Sequence, residues 1–351
     1  MSFKVVESVT QGNPDKICDQ IADAIVDEYL RRDPASKVDV NVVGSHGMLM
    51  ITGEVNSRAD FDIAELAKGV YQEIGYTDDL EVFVNVESSS SEMQHALSSP
   101  MDTVVVSGYA TRETREFMPR PVVFAHTIAR RLDDLRRTDP SFSWLCPDGK
   151  VQLMMEHDRV HAVTVLAAHA SFKQVHEVQQ AILARLIEPL VGGEAVEIHI
   201  NPLGSFTIHG FHADSGVSGH KLGVDAYGGL VPHTDCALSG KDPLKAERAG
   251  SYLARVAARY IVEQELASSV LVKAAYTIGK AQPIHLEAFG MSNSSRGSKL
   301  DFSALISQKF DWRPEAIVER LGLNKISLRQ TAVYGHFGRA GFPWETSLAS
   351  S

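Results

Sequence analysis

The chain has 351 residues, of which 44% are hydrophobic and 22% are charged, the proportions of an ordinary globular protein. Its formal net charge of −10 argues against a surface for non-specific binding to nucleic acid or to an acidic membrane. Any site for an anion must therefore be a local group of lysines within an acidic chain.

Cysteine usage and the start of the chain point to one compartment. Cys18, Cys146 and Cys236 are scattered and form no CxxC pair, which is typical of reduced thiols and not of a disulfide framework or a zinc site. The first residues lack an apolar signal core, and no apolar run is long enough to cross a membrane. We therefore expect a cytoplasmic protein whose partners include neither nucleic acid nor a membrane.

Hydrophobic periodicity predicts a recurring series of strands and helices. The first part of the chain is predicted to contain strand 3–8, helix 15–29, strands 38–43 and 49–55, helix 60–74 and strand 80–86. The second is predicted to contain strand 103–108, helix 119–137, strands 151–156 and 160–167, helix 172–190 and strand 197–200. The third is predicted to contain strands 205–209 and 222–225, helix 244–265, strands 270–278 and 284–289, and helices 302–310 and 313–321.

The recurring order predicts an α+β fold of three similar strand–helix units, with helices on one face of a mixed sheet. Between the first two units, residues 88–100 are polar and serine-rich and lack periodicity. This segment is predicted to be a mobile loop.

A local group of lysines occurs in residues 233–248, HTDCALSGKDPLKAER. The Ser-Gly pair is a turn signal, and the next residues are expected to open a helix with Pro243 near its first position. Lys241 and Lys245 would then lie four residues apart on one helix face. Two neighbouring ammonium groups repel each other unless an anion lies between them, so a polyphosphate would suit this site. A solvated basic helix start is the alternative.

Eight segments of the chain resemble, in order, the methionine adenosyltransferase (S-adenosylmethionine synthetase) family. They are ESVTQGNPDKICDQIADAI, SGYATRETREFMP, PDGKVQ, INPLGSF, GHKLGVDAYGG, SGKDPLKAER, YTIGKAQP and YGHFGRAGFPWE, and they span residues 7–345. The resemblance implies the S-adenosylmethionine synthetase fold, with three interlocked units in a pseudo-threefold arrangement. We place these units at residues 1–98, 99–208 and 209–351.

The resemblance also implies a reaction. The family forms S-adenosylmethionine from ATP and L-methionine: the sulfur attacks C5′ of ATP and displaces tripolyphosphate, which is hydrolysed to phosphate and diphosphate. Such a displacement needs aligned reactants and cations that stabilise the leaving polyanion. Magnesium would supply part of that charge and lysines the rest. A homodimer or dimer of dimers, with active sites at the interface, is also implied.

Individual residues match the family's functional positions. The lysines that match triphosphate positions are Lys150, Lys221, Lys241 and Lys245, with Lys16 as a further phosphate lysine. The magnesium carboxylates are Asp15 and Glu247, the second of which replaces an aspartate. The positions around the substrates are Glu7, Glu54, Asp102 (ribose), Phe206 (adenine), Asp214 (the methionine amino group) and His220.

Several positions depart from the family pattern. Asn13 replaces a histidine thought to assist departure of the triphosphate, and its amide can donate a hydrogen bond but carries no charge. Ser205 and His220 replace arginines, and each lost charge-assisted contact is worth ~1.5–3 kcal/mol. Asp235 stands where a glycine lets the backbone approach the substrate. Asn41 replaces a potassium-binding glutamate, which puts a potassium site in question beside the implied magnesium.

These departures leave two alternatives beside the synthetase. The same fold could use another nucleophile, or bind and convert S-adenosylmethionine itself, without triphosphate chemistry. The chain could instead be an inactive regulatory partner of an active relative, since family dimers share their active sites.

Overall fold

The computed structural model of the chain describes residues 3–88, 100, 102–191, 195–291 and 300–347. The segment predicted to be a mobile loop, 88–100, lies outside these ranges except at its two ends. The strands of the described chain are β1 (Lys4–Val9), β2 (Lys37–Ser45), β3 (Met48–Asn56), β4 (Glu81–Glu87), β5 (Val104–Thr111), β6 (Leu145–Glu156), β7 (Arg159–His169), β8 (Glu197–Ile200), β9 (Gly216–Val217), β10 (Ser269–Tyr276) and β11 (His285–Met291). Its α-helices are α1 (Pro14–Arg32), α2 (Ile63–Ile74), α3 (Arg120–Thr138), α4 (Val175–Ile182), α5 (Glu188–Val191), α6 (Leu222–Tyr227), α7 (Ala246–Glu263), α8 (Phe302–Lys309) and α9 (Pro314–Leu321).

The strands of the described residues form three sheets that exchange strands in a cyclic order. Strand β1 pairs with the β6–β7 hairpin, β5 pairs with the β10–β11 hairpin, and β9 pairs with the β2–β3 hairpin. Each leading strand therefore belongs to the sheet of another unit. The predicted α+β fold with a pseudo-threefold arrangement is confirmed, while the unit boundaries at 98/99 and 208/209 stay a prediction.

The three units also share their layering. Helix α1 packs on β2, α3 packs on β1 and β6, and α7 packs on β5 and β10, so the long helix of each unit covers one sheet. Two of the sheets are mixed, as predicted, because β4 runs parallel to β3 and β8 runs parallel to β7. Among the described residues, no helix is both long and apolar enough to cross a membrane.

Helix α1 carries an aspartate at every fourth position. Since side chains four residues apart share a helix face, Asp15, Asp19, Asp23 and Asp27 form a column along it. Each of these carboxylates accepts a backbone N–H from the C-terminal part of the chain: from Val217, Gly219, Gly240 and Leu328 respectively. The aspartate column therefore fastens three C-terminal loops to one helix of the first unit.

Two predicted strands are wrong. Residues 205–209 form no strand, and residues 222–225 lie within helix α6. Both predictions rested on short apolar runs, for which periodicity does not separate a strand from one buried helical turn. Gly228, which follows α6, has a φ of 66°, and this left-handed cap ends the helix.

Three predicted helices begin two or three residues later than expected. The helix predicted over 60–74 begins at Ile63. The helix predicted over 172–190 begins at Val175 and passes through a π-helical turn at Leu183–Ile187. The helix predicted over 244–265 begins at Ala246, with Lys245 as its N-cap. Pro243 therefore precedes the helix, and the placement of Lys241 and Lys245 on one helix face is wrong.

The aspartate column generates a stability prediction at Asp23. Its two carboxylate oxygens accept from both terminal nitrogens of Arg248, at 2.7 and 2.9 Å, and both side chains are fully buried. Asp23→Ala leaves a buried guanidinium without its carboxylate, so we expect a loss of about 3–5 kcal/mol in the free energy of unfolding. Arg31→Ala, which removes an exposed arginine that pairs with Glu28, is the control and should leave the unfolding midpoint almost unchanged. Urea unfolding measures both variants; equal midpoints would contradict a clamping role for the column.

Candidate active site

The first group of predicted site residues lies at the start of helix α1. One carboxylate oxygen of Asp15 accepts from the backbone N–H of Val217 at 2.9 Å and lies 3.1 Å from Nδ1 of His220. The other lies 3.1 Å from the ammonium of Lys221. We call Asp15, His220 and Lys221 the Asp15 cluster. Position 220, an arginine in the family, thus contributes an exposed imidazole that contacts the carboxylate and is charged only when protonated.

Asn13 acts as the N-cap of α1. Its side-chain oxygen accepts from the backbone N–H of Asp15, and its side chain lies close enough to Asp148 to act on the pKa of that carboxyl group. Burial raises the pKa of Asp148 to about 6, against the opposing effect of hydrogen bonds from Gly210 and Gly149. Asn13 therefore caps the start of the helix, and it supplies no charge.

Four further predicted residues lie on strands and loops of the first two units and at the start of the third. Glu7 and Lys150 form an ion pair at 2.8 Å across the β1–β6 pairing, and the backbone of Gly149 accepts from Thr10 in the loop that leads to α1. Asp214 is exposed and close enough to Asp148 to contribute to the raised pKa of that carboxyl group. Phe206 is half-buried, and its backbone is hydrogen-bonded to His169.

The second group lies before helix α7. The ammonium of Lys241 is 2.7 Å from one oxygen of Glu247 and 3.5 Å from Asp39, and the ammonium of Lys245 is 3.2 Å from the same oxygen of Asp39. We call Asp39, Lys241, Lys245 and Glu247 the Lys241 cluster. Burial acts to lower the pKa of Lys241, but the carboxylates of Glu247 and Asp39 raise it above its usual value. Lys241 is therefore held charged.

Two other predicted residues lie beside the Lys241 cluster. Glu54 is exposed on β3 and is the cross-strand partner of Asp39, so both side chains are on one face of the sheet. Asp102 is exposed and, like Lys241, lies close enough to Cys236 to act on its thiol, whose pKa burial raises to about 11.

The two clusters lie apart within one chain. On strand β2, Val43 pairs with Val217 beside the Asp15 cluster, whereas Asp39 forms a bridge with Lys241. Four residues of strand separate these pairings, which corresponds to ~13 Å. Asp15 and Glu247, the two predicted metal carboxylates, therefore belong to separate halves of the site.

Lys16 differs from its predicted role as a phosphate lysine. Its ammonium is buried and contacts the carboxylates of Asp19, at 2.7 Å, and Asp225. Burial acts to lower the pKa of Lys16, but the two carboxylates raise it. This geometry makes Lys16 the centre of a buried ion-pair network that joins α1 to α6, and leaves no exposed ammonium for a phosphate.

Sequence reasoning missed Asp39, Asp148 and the aspartate column. The column had a usable signal, since aspartates recur every fourth residue from 15 to 27 within the predicted helix. Asp39 had no usable signal in the sequence, because its lysine partners lie about 200 residues away in the chain.

Comparisons with known proteins match most of the chain to one protein family. The chain matches family models for the N-terminal, central and C-terminal domains of S-adenosylmethionine synthetase over residues 2–99, 99–206 and 208–346. It is 38% identical to the S-adenosylmethionine synthase of Sorangium cellulosum, over 97% of this chain and 86% of that protein. It is 36% identical to the enzyme of the same name from Aquifex aeolicus, over 98% of this chain and 96% of that protein. The corresponding protein of Salinibacter ruber is 37% identical, over 97% and 94%.

The position of Lys16 generates a prediction with a defined pH dependence. Lys16→Met leaves Asp19 and Asp225 buried without a cation, so we expect a loss of about 3–5 kcal/mol at pH 7. Burial already raises the pKa of Asp225 to about 6 in the presence of the lysine. Because the folded state then binds protons more tightly than the unfolded chain, lowering the pH from about 7 to 5 should recover part of the loss.

Lys221→Met is the matched control for Lys16→Met. The Lys221 side chain is 22% exposed. Its buried partner, Asp15, keeps the backbone N–H of Val217 as a hydrogen-bond donor. The cost should therefore stay well below that of Lys16→Met at each of these pH values. Thermal melts of the two variants between pH 5 and 7 make the comparison. If Lys16→Met were as stable as Lys221→Met at pH 7, the structural role of the ion-pair network would be wrong. Lys16 would then again be a candidate phosphate ligand.

Proposed function

The chain belongs to the S-adenosylmethionine synthetase family, and we propose that it forms S-adenosylmethionine from ATP and L-methionine as a methionine adenosyltransferase. The observation that carries this proposal is the pair of lysine–carboxylate clusters at which the C-terminal part of the chain contacts helix α1 and strand β2 of the first unit. Lysines at positions 221, 241 and 245 provide ammonium groups for a polyanion in a chain with a net charge of −10. A random surface of such a chain would not concentrate them.

The reaction is a displacement at C5′ of ATP by the methionine sulfur. Negative charge accumulates on the leaving tripolyphosphate, so groups placed where that charge develops lower the barrier. Lys150, Lys221, Lys241 and Lys245 are suited to this task because an ammonium is a compact point charge. The carboxyl groups of Glu7, Glu54 and Asp214, with Asp102 and Phe206, are proposed to orient methionine and adenosine.

The donor groups fit a divalent cation, for which we propose magnesium. One oxygen of Glu247 contacts Lys241, but Oε2 is buried and has no hydrogen-bond partner among the described residues. Asp15 offers a second carboxylate in the other cluster. Within the described part of the chain, no group of three or more His, Cys, Asp or Glu side chains could hold a metal alone. Phosphate oxygens and water would therefore complete the ligand set, as magnesium commonly requires. The bound ion would neutralise charge on the leaving group.

A second copy of the chain is proposed to bring the two clusters together. The outer face of the sheet that carries Asp39 and Glu54 also exposes apolar side chains: Val43, Met48, Met50, Phe83 and Val217, each about two-fifths to one-half exposed. A continuous exposed apolar face marks an interaction surface. A homodimer formed through this face would place the Asp15 cluster of one copy near the Lys241 cluster of the other.

Incubation with substrates tests the reaction. Purified protein with ATP, methionine and magnesium should yield S-adenosylmethionine, followed by mass spectrometry. Lys241→Ala should lower kcat by at least about tenfold, with a smaller effect on the KM for methionine, because the lost charge acts on the leaving group. Lys68→Ala, an exposed lysine on α2, is the control and should leave kcat unchanged.

Two outcomes of this assay would overturn the assignment. Conversion of S-adenosylmethionine without ATP would favour a changed reaction on the same fold. No turnover by the chain alone, with activity only in a mixed oligomer with another synthetase, would favour a regulatory partner.

Mixing two inactive variants tests the shared site. Asp15→Ala and Glu247→Ala should each abolish activity. Co-expressed, half of the dimers should be mixed, and each mixed dimer regains one intact site out of two, so about a quarter of the wild-type activity should return. Recovery near zero, with mixed dimers verified by tagging, would show that both carboxylates act within one chain.

A further inference from the structure

Asp39 occupies the position between two lysines where a phosphate would be expected. Its Oδ2 lies 3.2 Å from the ammonium of Lys245 and 3.5 Å from that of Lys241. One carboxylate oxygen thus lies within ion-pair distance of both ammonium groups, which is the arrangement that an anion bridging the two lysines would adopt. The two lysine side chains are only 11% and 12% exposed, so little of each ammonium remains open to a second anion.

The carboxylates cancel the charge of the Lys241 cluster. Two ammonium groups contribute +2, and Asp39 and Glu247 contribute −2, so the formal charge of the cluster is zero. Without Asp39 the sum would be +1. Glu247 already provides Lys241 with a close partner at 2.7 Å, so Asp39 is not needed to compensate that ammonium.

Asp39 is held in place by its backbone. It lies within β2, pairs with Glu54 of β3 and forms a bridge with Lys241. The next residue, Val40, donates its N–H to Gly240 at 2.9 Å. The side chain can rotate, but its Cα position is fixed, so the carboxylate stays near both lysines when an anion arrives.

We propose that Asp39 is an internal competitor for the polyphosphate, and that it lowers the affinity of Lys241 and Lys245 for the tripolyphosphate part of the substrate. The inference rests on the proposed function, which places a polyphosphate at these lysines. An arriving phosphate must displace the carboxylate from the ammonium groups and then remain near its negative charge. Asp39 is therefore an affinity-determining residue for the polyanion.

Metal-free binding measures this effect separately from catalysis. Sodium tripolyphosphate is titrated into the full-length protein in EDTA at low salt, with calorimetric detection. Asp39→Asn keeps the shape of the side chain and removes its charge, so affinity should rise by at least about fivefold. Asp79→Asn, which removes the same charge from an exposed position before β4, should leave the affinity unchanged.

A second variant covers the case in which asparagine keeps a hydrogen bond to the lysines. Asp39→Ser should also bind tripolyphosphate more tightly than the wild type, and its far-UV circular dichroism verifies the fold. Equal or weaker binding by both Asp39 variants would overturn the inference, as would an equal gain in Asp79→Asn.

The product assay separates this inference from the proposed function. If the wild type forms S-adenosylmethionine while the Asp39 variants show no gain in affinity, the competitor role is wrong and the function stands. If the Asp39 variants gain affinity while the wild type forms no S-adenosylmethionine, the competitor role stands and the proposed function is wrong.

Discussion

The fold and the site depend on the aspartate column of helix α1. Its four carboxylates accept backbone N–H groups of the loops at residues 217–219, 240 and 328. Two of them also neutralise buried cations: Asp19 pairs with Lys16, and Asp23 pairs with Arg248. Buried charges are tolerated only when they are paired and hydrogen-bonded. These hydrogen bonds and ion pairs also position the loops that carry Lys221, Lys241 and Lys245. Stability and site geometry therefore share one set of interactions.

The cyclic exchange of strands acts on the same loops as the aspartate column. Because each leading strand completes a sheet in another unit, the loops that follow β9 and precede α7 are tied to the first unit by both sheet pairing and carboxylates. The two clusters then lie at separate points along β2. We propose that a second copy of the chain completes the site, and the exposed apolar face of the same sheet is the surface proposed for this contact.

The sequence allowed the long elements to be predicted, but not the contacts between them. Helix α1 and the β2–β3 hairpin follow from periodicity and a Gly-Ser-His-Gly turn, which are local signals. Short apolar runs such as 222–225 were misassigned because burial in a helix and in a strand leaves the same pattern. The anion between Lys241 and Lys245 was expected to be a ligand, yet Asp39 of the chain itself lies there. Such pairings are set by tertiary structure, which no local pattern encodes.

The most direct measurement is a crystal structure of the protein with magnesium and a non-reactive ATP analogue. We expect the triphosphate to lie between the Asp15 cluster of one copy and the Lys241 cluster of another. Lys241 and Lys245 should donate to phosphate oxygens, and the Asp39 carboxylate should be turned away from both lysines. A nucleotide bound elsewhere, or a dimer in which the two clusters face away from each other, would contradict it.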